Sequence, residues 1–178
     1  MTLQEQAENI ISKLDLLEIL GTFGEVHVVG NVAFATTTKP DIDIQIYCSL
    51  HYEDAANVIV QALAGLGLAD IKERRLRKSK KYLVISKFQE GETVWDIDIT
   101  LTQPSRSYLK DSYQFYLDYM PKMTPEKLEA IVSLKQEFAN TKISGDNSAY
   151  YIYQAVLDEN ISTVPEMKKY LNTRKSYK

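Results

Sequence analysis

Two short runs of this chain set paired carboxylates into apolar sequence. Asp41 and Asp43 stand one residue apart in KPDIDIQIY, and Asp96 and Asp98 repeat the pattern in VWDIDIT. Side chains two apart on a strand share a face. Each acid pair therefore points one way, with Ile42, Ile44 and Ile46, or Trp95, Ile97 and Ile99, pointing the other. A single such pair reads as a half-exposed strand with solvated acids. Two pairs on neighbouring strands would gather up to four carboxylates, and two charges ~4 Å apart repel by about 4 kcal/mol at an effective dielectric of 20. A cluster of that kind raises its own pKa values unless a cation neutralises it. Hard oxygen donors without His or Cys select magnesium or manganese. The single cysteine, Cys48, and two histidines cannot build a zinc site of the usual Cys/His kind or an internal disulfide.

The elements that must position these acids follow from periodicity. The run from Thr2 to Leu20 has Leu3, Ala7, Ile10, Ile11, Leu14 and Leu17 at helical spacing, with Thr2 and Glu5 as a capping box. Gly21 and Gly24 end this helix, and EVHVVG makes a strand closing at Gly30. A short helical turn and a loop lead through Pro40 into the strand DIDIQIYC. A second amphipathic helix, EDAANVIVQALAGLG, places Ala55, Val58, Ile59, Ala62 and Leu66 on one side. ADIKERRLRKSKKYLVISKF reads as a strand, a basic turn and another strand, and QEGE turns into TVWDIDITLT. Beyond Pro104 the pattern is helical. SRSYLKDSYQFYLDYM, TPEKLEAIVSLKQEFAN, SAYYIYQAVLDEN and TVPEMKKYL are candidate helices, the third shorter, with Thr163 and Glu166 as a further capping box and NTRKSYK as a fraying basic tail. The expectation is an α+β chain, with a mixed β-sheet of about five strands flanked by helices over residues 1–103 and a helical C-terminal region over 104–178.

Gly30 ends a strand and runs directly into a helical turn, where a glycine lets backbone approach a ligand and free amides attract phosphate. A phosphate cradle some ten residues before paired acids suggests a metal-bound triphosphate. The run VHVVGNVAFATTTKPDIDIQIY resembles the signature of the nucleotidyltransferase superfamily, whose fold is shared with DNA polymerase beta and the antibiotic nucleotidyltransferases. In that family a hydrophobic strand ends in Gly-Ser or Gly-Gly, an Asp-x-Asp pair follows a short helix, and a third acid lies on a later strand. Gly30, Asp41 and Asp43 match that pattern, and VWDIDIT supplies the third acid. Asp98 is favoured over Asp96 for that place, because it lies deeper in its strand. Asn31 stands where serine is usual, and its amide can donate to a phosphate oxygen. The helical tail is similar to that of small bacterial lincosamide- or aminoglycoside-type members.

The resemblance implies an enzyme that uses Mg2+ or Mn2+ and moves a nucleoside monophosphate from a nucleoside triphosphate such as ATP to a hydroxyl acceptor, with pyrophosphate released. Asp41, Asp43 and Asp98, with Asp96 as the other candidate, are the implied metal ligands, and Asp98 the implied base. Gly30, Asn31, Lys39 and Lys135 are the candidate phosphate contacts. Lys135 is singled out because it shares the apolar face of its helix with Leu128, Ile131 and Phe138. The alternative is a catalytically inactive protein of the same fold, a nucleotide binder or a partner of toxin–antitoxin type, motivated by Asn31. Tyr108, Tyr113, Tyr116, Tyr119, Tyr150, Tyr151 and Tyr153 read mainly as core, and His27 and Cys48 as structural. KERRLRKSKK reads as a solvated basic hairpin that discourages edge pairing more than as an RNA grip. With a net charge of -3, a nucleic-acid partner is possible but not favoured. The start MTLQEQAENI has no signal-peptide character and no apolar run nears the ~20 residues that cross a bilayer, so a cytoplasmic protein without membrane association is expected.

Overall fold

The computed structural model describes residues 1–48, 51–77, 80–107, 111–139 and 148–175. Two compact units divide the chain, Met1–Asp118 and Tyr119–Lys178. The first continues past the change of composition at Pro104.

Helix α1 (Leu3–Lys13) starts at the expected capping box, with Thr2 N–H donating to Glu5 and Glu5 N–H donating to Thr2 Oγ1. It does not run on to Leu20. The chain turns left-handed at Asp15 (φ 48°) and restarts as α2 (Leu16–Gly21). In one continuous helix Leu14 and Leu16 would stand about 200° apart at 3.6 residues per turn. The break buries both and leaves Leu17, expected on the apolar face, exposed.

Strands β1 (Gly24–Val29), β2 (Asp41–Cys48), β3 (Ala69–Leu76), β4 (Lys81–Glu90) and β5 (Thr93–Thr102) form one sheet in the order β1-β2-β5-β4-β3. β2 and β5 are parallel, and the other pairs are antiparallel. The sheet is therefore mixed, as expected. A parallel pair needs a crossover, and α4 (Tyr52–Gly65) with the β3–β4 hairpin supplies the chain between β2 and β5. Ile42, Ile44, Ile46, Ile97, Ile99, Leu101 and Trp95 are all buried in one cluster with Ala7 and Ile10 of α1 and Ala55, Ala56, Ile59 and Leu63 of α4. Val58, expected on the buried side of α4, is exposed; Leu63 takes that place because the buried stripe follows Ala56 and Ile59.

The four-residue helix α3 (Gly30–Ala33) links β1 toward β2. Helix α5 (Ser112–Tyr119) follows residues 105–107, which are irregular. In the second unit α6 (Pro125–Phe138), α7 (Ser148–Glu159) and α8 (Val164–Lys175) bury Ile131, Leu134, Phe138, Ile152, Tyr153, Val156 and Met167. Thr124 caps α6 ahead of Pro125, and Tyr119 Oη and Lys122 Nζ both donate to Asp158, at 2.7 and 2.6 Å. The C-terminal tail is helical through Lys175 where fraying was expected. It contains neither Gly nor Pro to stop the helix, and the Thr173 hydroxyl donates back to the Tyr170 carbonyl; residues 176–178 lie outside the described set. Among the described residues no helix is long and apolar enough to cross a membrane.

Candidate active site

The strand register decides what the two acid pairs are. On the parallel strands Asp41 lies opposite Asp96 and Asp43 opposite Asp98. All four carboxylates therefore leave the same face of the sheet, away from the isoleucine core. Their surroundings differ. Asp41 is buried, Asp43 and Asp98 are half-buried, and Asp96 is exposed beside Lys87 of β4.

Asp98 carries the strongest signal. Its Oδ1 is buried without a hydrogen-bond partner. Burial first, then the charges of Asp41 and Asp96, push its pKa up to about 6, against the pull of Lys39. Asp41 is otherwise engaged, since its Oδ2 takes the Lys39 ammonium at 2.8 Å and the Asn31 Nδ2 at 3.5 Å. Burial of Lys39 opposes its charge, but the hydrogen bond to Asp41 and the charges of Asp41, Asp43 and Asp96 prevail and raise its pKa. Asp43 reaches to the end of β1. Gly30 sits there at φ 64°, and a Cβ on it would collide with Asp43 Oδ2. Glycine is needed twice over, for the left-handed backbone and for room beside the carboxylate.

Among the described residues no group of three or more acid, histidine or cysteine side chains is positioned, as the chain stands, to hold a metal ion. Asp41 leans to Lys39 and Asn31, and Asp43 leans to Gly30. The donor set still fits a hard divalent cation. It offers only oxygen, its charges repel one another, and one buried carboxylate oxygen lacks any partner. Lys39 is the cation that now offsets part of that charge.

Further along the same face lies a polar network that sequence reasoning missed. Asp111 is buried and directly precedes α5. Its carboxylate accepts from Gln45 Nε2 (2.8 Å), Tyr47 Oη (2.8 Å), Ser105 N (2.8 Å) and Gln114 N (2.9 Å). Burial raises its pKa, but these four donors outweigh that and hold it below the usual carboxylate range. Gln45 completes the link by accepting from Ser112 N–H at 2.9 Å. The available signal was Asp111 directly ahead of SYQF, an N-cap pattern with Gln114 at the third helical position. Beside it His27 stacks on Tyr113, with ring centroids 3.4 Å apart at 8°, and Tyr116 lies edge-on to Phe34.

The remaining candidates lie elsewhere. Lys135 is in the second unit, its ammonium 5.4 Å over the Tyr153 ring. Tyr119 and Tyr153 are buried and Tyr113, Tyr116, Tyr150 and Tyr151 half-buried, while Tyr108 lies outside the described residues. Cys48 is buried.

No family model matches the chain, and no curated protein matches it by sequence. Solved structures do. A cytoplasmic RNA terminal U-transferase aligns over 91% of this chain and 50% of its own, with a TM-score of 0.62 at 15% identity. The polymerase core of TRAMP, an RNA surveillance complex, aligns over 94% of this chain and 55% of its own, with a TM-score of 0.58 at 15% identity. The GLD-2/RNP-8 complex aligns over 86% and 49%, with a TM-score of 0.57 at 12% identity. The fold is the α+β nucleotidyltransferase fold. The chain spans about half the length of the structures it matches.

Proposed function

We propose that this chain carries out metal-dependent nucleotidyl transfer, moving a nucleoside monophosphate from a nucleoside triphosphate to a hydroxyl acceptor. One observation carries the reading: a buried, unpartnered Asp98 oxygen on the strand paired with Asp41 and Asp43, with all the carboxylates on one face. A magnesium or manganese ion held by Asp41, Asp43 and Asp98 supplies neutralisation of the triphosphate charge and of the oxygens entering and leaving phosphorus. Asp98 takes the proton of the acceptor hydroxyl. Its pKa of about 6 belongs to the metal-free site, where burial and neighbouring carboxylates raise it, and a bound divalent cation would hold it ionised at neutral pH, ready to accept that proton. The acceptor oxygen bonds to the α-phosphorus as the bond to pyrophosphate breaks. Gly30 leaves room for Asp43, Asp96 is the exposed second candidate at the rim, and Asn31 and Lys39 are placed to turn from Asp41 to phosphate oxygens. Two of the solved neighbours, the RNA terminal U-transferase and the core of an RNA surveillance complex, are named for RNA, which favours an RNA 3′ end as acceptor over an antibiotic hydroxyl.

A second reading has its own observation. Lys39 and Asn31 both occupy Asp41 Oδ2, and if they stay there that oxygen is not open to a metal ion, as in an inactive nucleotide binder. Calorimetric titration of the four nucleoside triphosphates with magnesium or manganese, into wild type and Asp43→Asn, separates the cases when followed by transfer assays on RNA and small hydroxyl acceptors. Transfer is expected in wild type, with binding weakened at least tenfold and turnover abolished in Asp43→Asn. Tight metal-dependent binding without transfer to any acceptor supports the inactive nucleotide binder. Turnover retained in Asp43→Asn overturns the site assignment.

A further inference from the structure

The loop between α3 and β2 carries the phosphate candidates, and its backbone is strained. It turns left-handed at Ala35 (φ 54°), a conformation that glycine and asparagine take far more readily. Such backbone persists only where its surroundings hold it, and it gathers at functional sites. Part of the hold is local. Ala35 N–H donates to the Val32 carbonyl at 3.1 Å, and the buried Thr36 donates to the Asn31 carbonyl through N–H at 2.9 Å and Oγ1 at 3.4 Å.

The rest of the hold comes from α1. Gln4, half-buried in the first turn of that helix, spans the loop with one amide. Its Nε2 donates to the Val32 carbonyl at 3.0 Å, and its Oε1 accepts from Thr37 Oγ1 at 2.6 Å. The two contacts fall on the two limbs of the loop, since Val32 directly follows Asn31 and Thr37 stands just ahead of Lys39. An ordinary residue of a first helical turn explains the bond that Nε2 also makes to Glu8, at 2.7 Å. It does not explain an amide whose two ends reach separate limbs of a strained turn.

We infer that Gln4 is a positioning residue: with Thr37 it clamps the two limbs of the α3–β2 loop and so fixes the separation at which Asn31 and Lys39 meet the triphosphate of a nucleotide substrate. The inference rests on the nucleotidyl transfer proposed above. Gln4 acts through the loop and not on the nucleotide. A loop already held in place spares the nucleotide part of the cost of ordering it. A glutamine suits the task because its amide carries donor and acceptor at one end of a flexible stem.

The test is calorimetric titration, with magnesium, of the full chain with the nucleoside triphosphate that wild type binds most tightly of the four. Gln4→Ala and Thr37→Val are each expected to weaken binding about fivefold. The double variant is expected to bind no more weakly than either single one, because both remove the same bridge. Thr37→Ser keeps the hydroxyl and is expected to stay within about twofold of wild type, as is Glu8→Ala, which removes only the bond within α1. Amide hydrogen exchange over residues 31–41 of the metal-free chain reads the loop itself and is expected to quicken in Gln4→Ala, with thermal melts checking that the fold is kept. Binding unchanged in Gln4→Ala, additive losses in the double variant, or a loss in Thr37→Ser as large as in Thr37→Val each overturns the clamp. Faster exchange in the loop with unchanged binding makes the tie structural only and overturns the positioning role. Absence of nucleotide binding in wild type is a separate failure, which removes the proposed function and the clamp with it.

Discussion

Asp98 is the residue at which fold and chemistry conflict. Its carboxyl is held in a half-buried place among other acids, and its pKa stands at about 6 against a usual 3.8. A raised carboxylate pKa means that the folded state binds the proton more tightly than the unfolded state. Its contribution to stability is then complete below about pH 4 and is lost as pH rises through about 6. Asp98→Asn removes that loss. In chelator, the variant is expected to be more stable than wild type at pH 7.5 by about 1 kcal/mol, the full shift being discounted for partial solvent exposure. The gain should vanish near pH 4, and denaturant melts at both pH values check it. A gain of equal size at both would mean that the charge on Asp98 is not its source. Gly30 makes the complementary case from the backbone. Gly30→Ala puts a Cβ into Asp43 Oδ2 at φ 64°, so it is expected to cost about 1–2 kcal/mol in stability and to weaken metal-dependent nucleotide binding more than tenfold. Urea melts and calorimetry read the two effects separately.

At the scale of elements, the site exists because β2 and β5 are parallel neighbours in register. The alternation in DIDIQIY and WDIDITLT announced which face each acid takes, and the strands, the turn at Gly91 and the helix caps at Thr2 and Thr124 were legible for the same local reasons. Pairing was not legible. Nothing in either run states that Asp43 meets Asp98, because register between distant strands is set by core packing and crossover geometry. The break at Asp15 was hidden by a helical pattern that continues through it. The tie from Asp111 to the sheet was hidden because its partners there, Tyr47 and Gln45, are 64 and 66 residues away. That network fixes the entry to α5 on the sheet face two positions from Asp43. Asp111→Ala would leave the buried Gln45 amide and two backbone donors unpaired, with an expected cost of about 3 kcal/mol. Because the Asp111 pKa is lowered in the fold, the stability it adds is present at neutral pH and is lost as pH falls below the usual carboxylate range. Wild type and Asp111→Ala should therefore converge in stability toward acid pH. Parallel curves across that range would show that Asp111 acts through shape alone.

At the scale of the whole molecule, the question is what the helical unit adds. Every member of the main core cluster lies between Ala7 and Leu101, and the acids, Gly30, Asn31 and Lys39 all belong to Met1–Asp118. The second unit has buried side chains of its own and closes its own polar contacts at Asp158. A unit with its own core is expected to unfold as its own cooperative step. A fragment of residues 1–118 should thus melt with a single sigmoidal transition. Its metal-dependent nucleotide binding should lie within about threefold of the full chain, since the carboxylates supply the first requirement for a metal-bound triphosphate. Turnover is the sharper measure. The fragment is expected to keep binding, and a loss of transfer in it would show that turnover needs the helical unit as well as the sheet. Binding that falls more than tenfold in the fragment would move the triphosphate contacts into the helical unit. Transfer that survives in it would confine the whole reaction to the sheet and its acids.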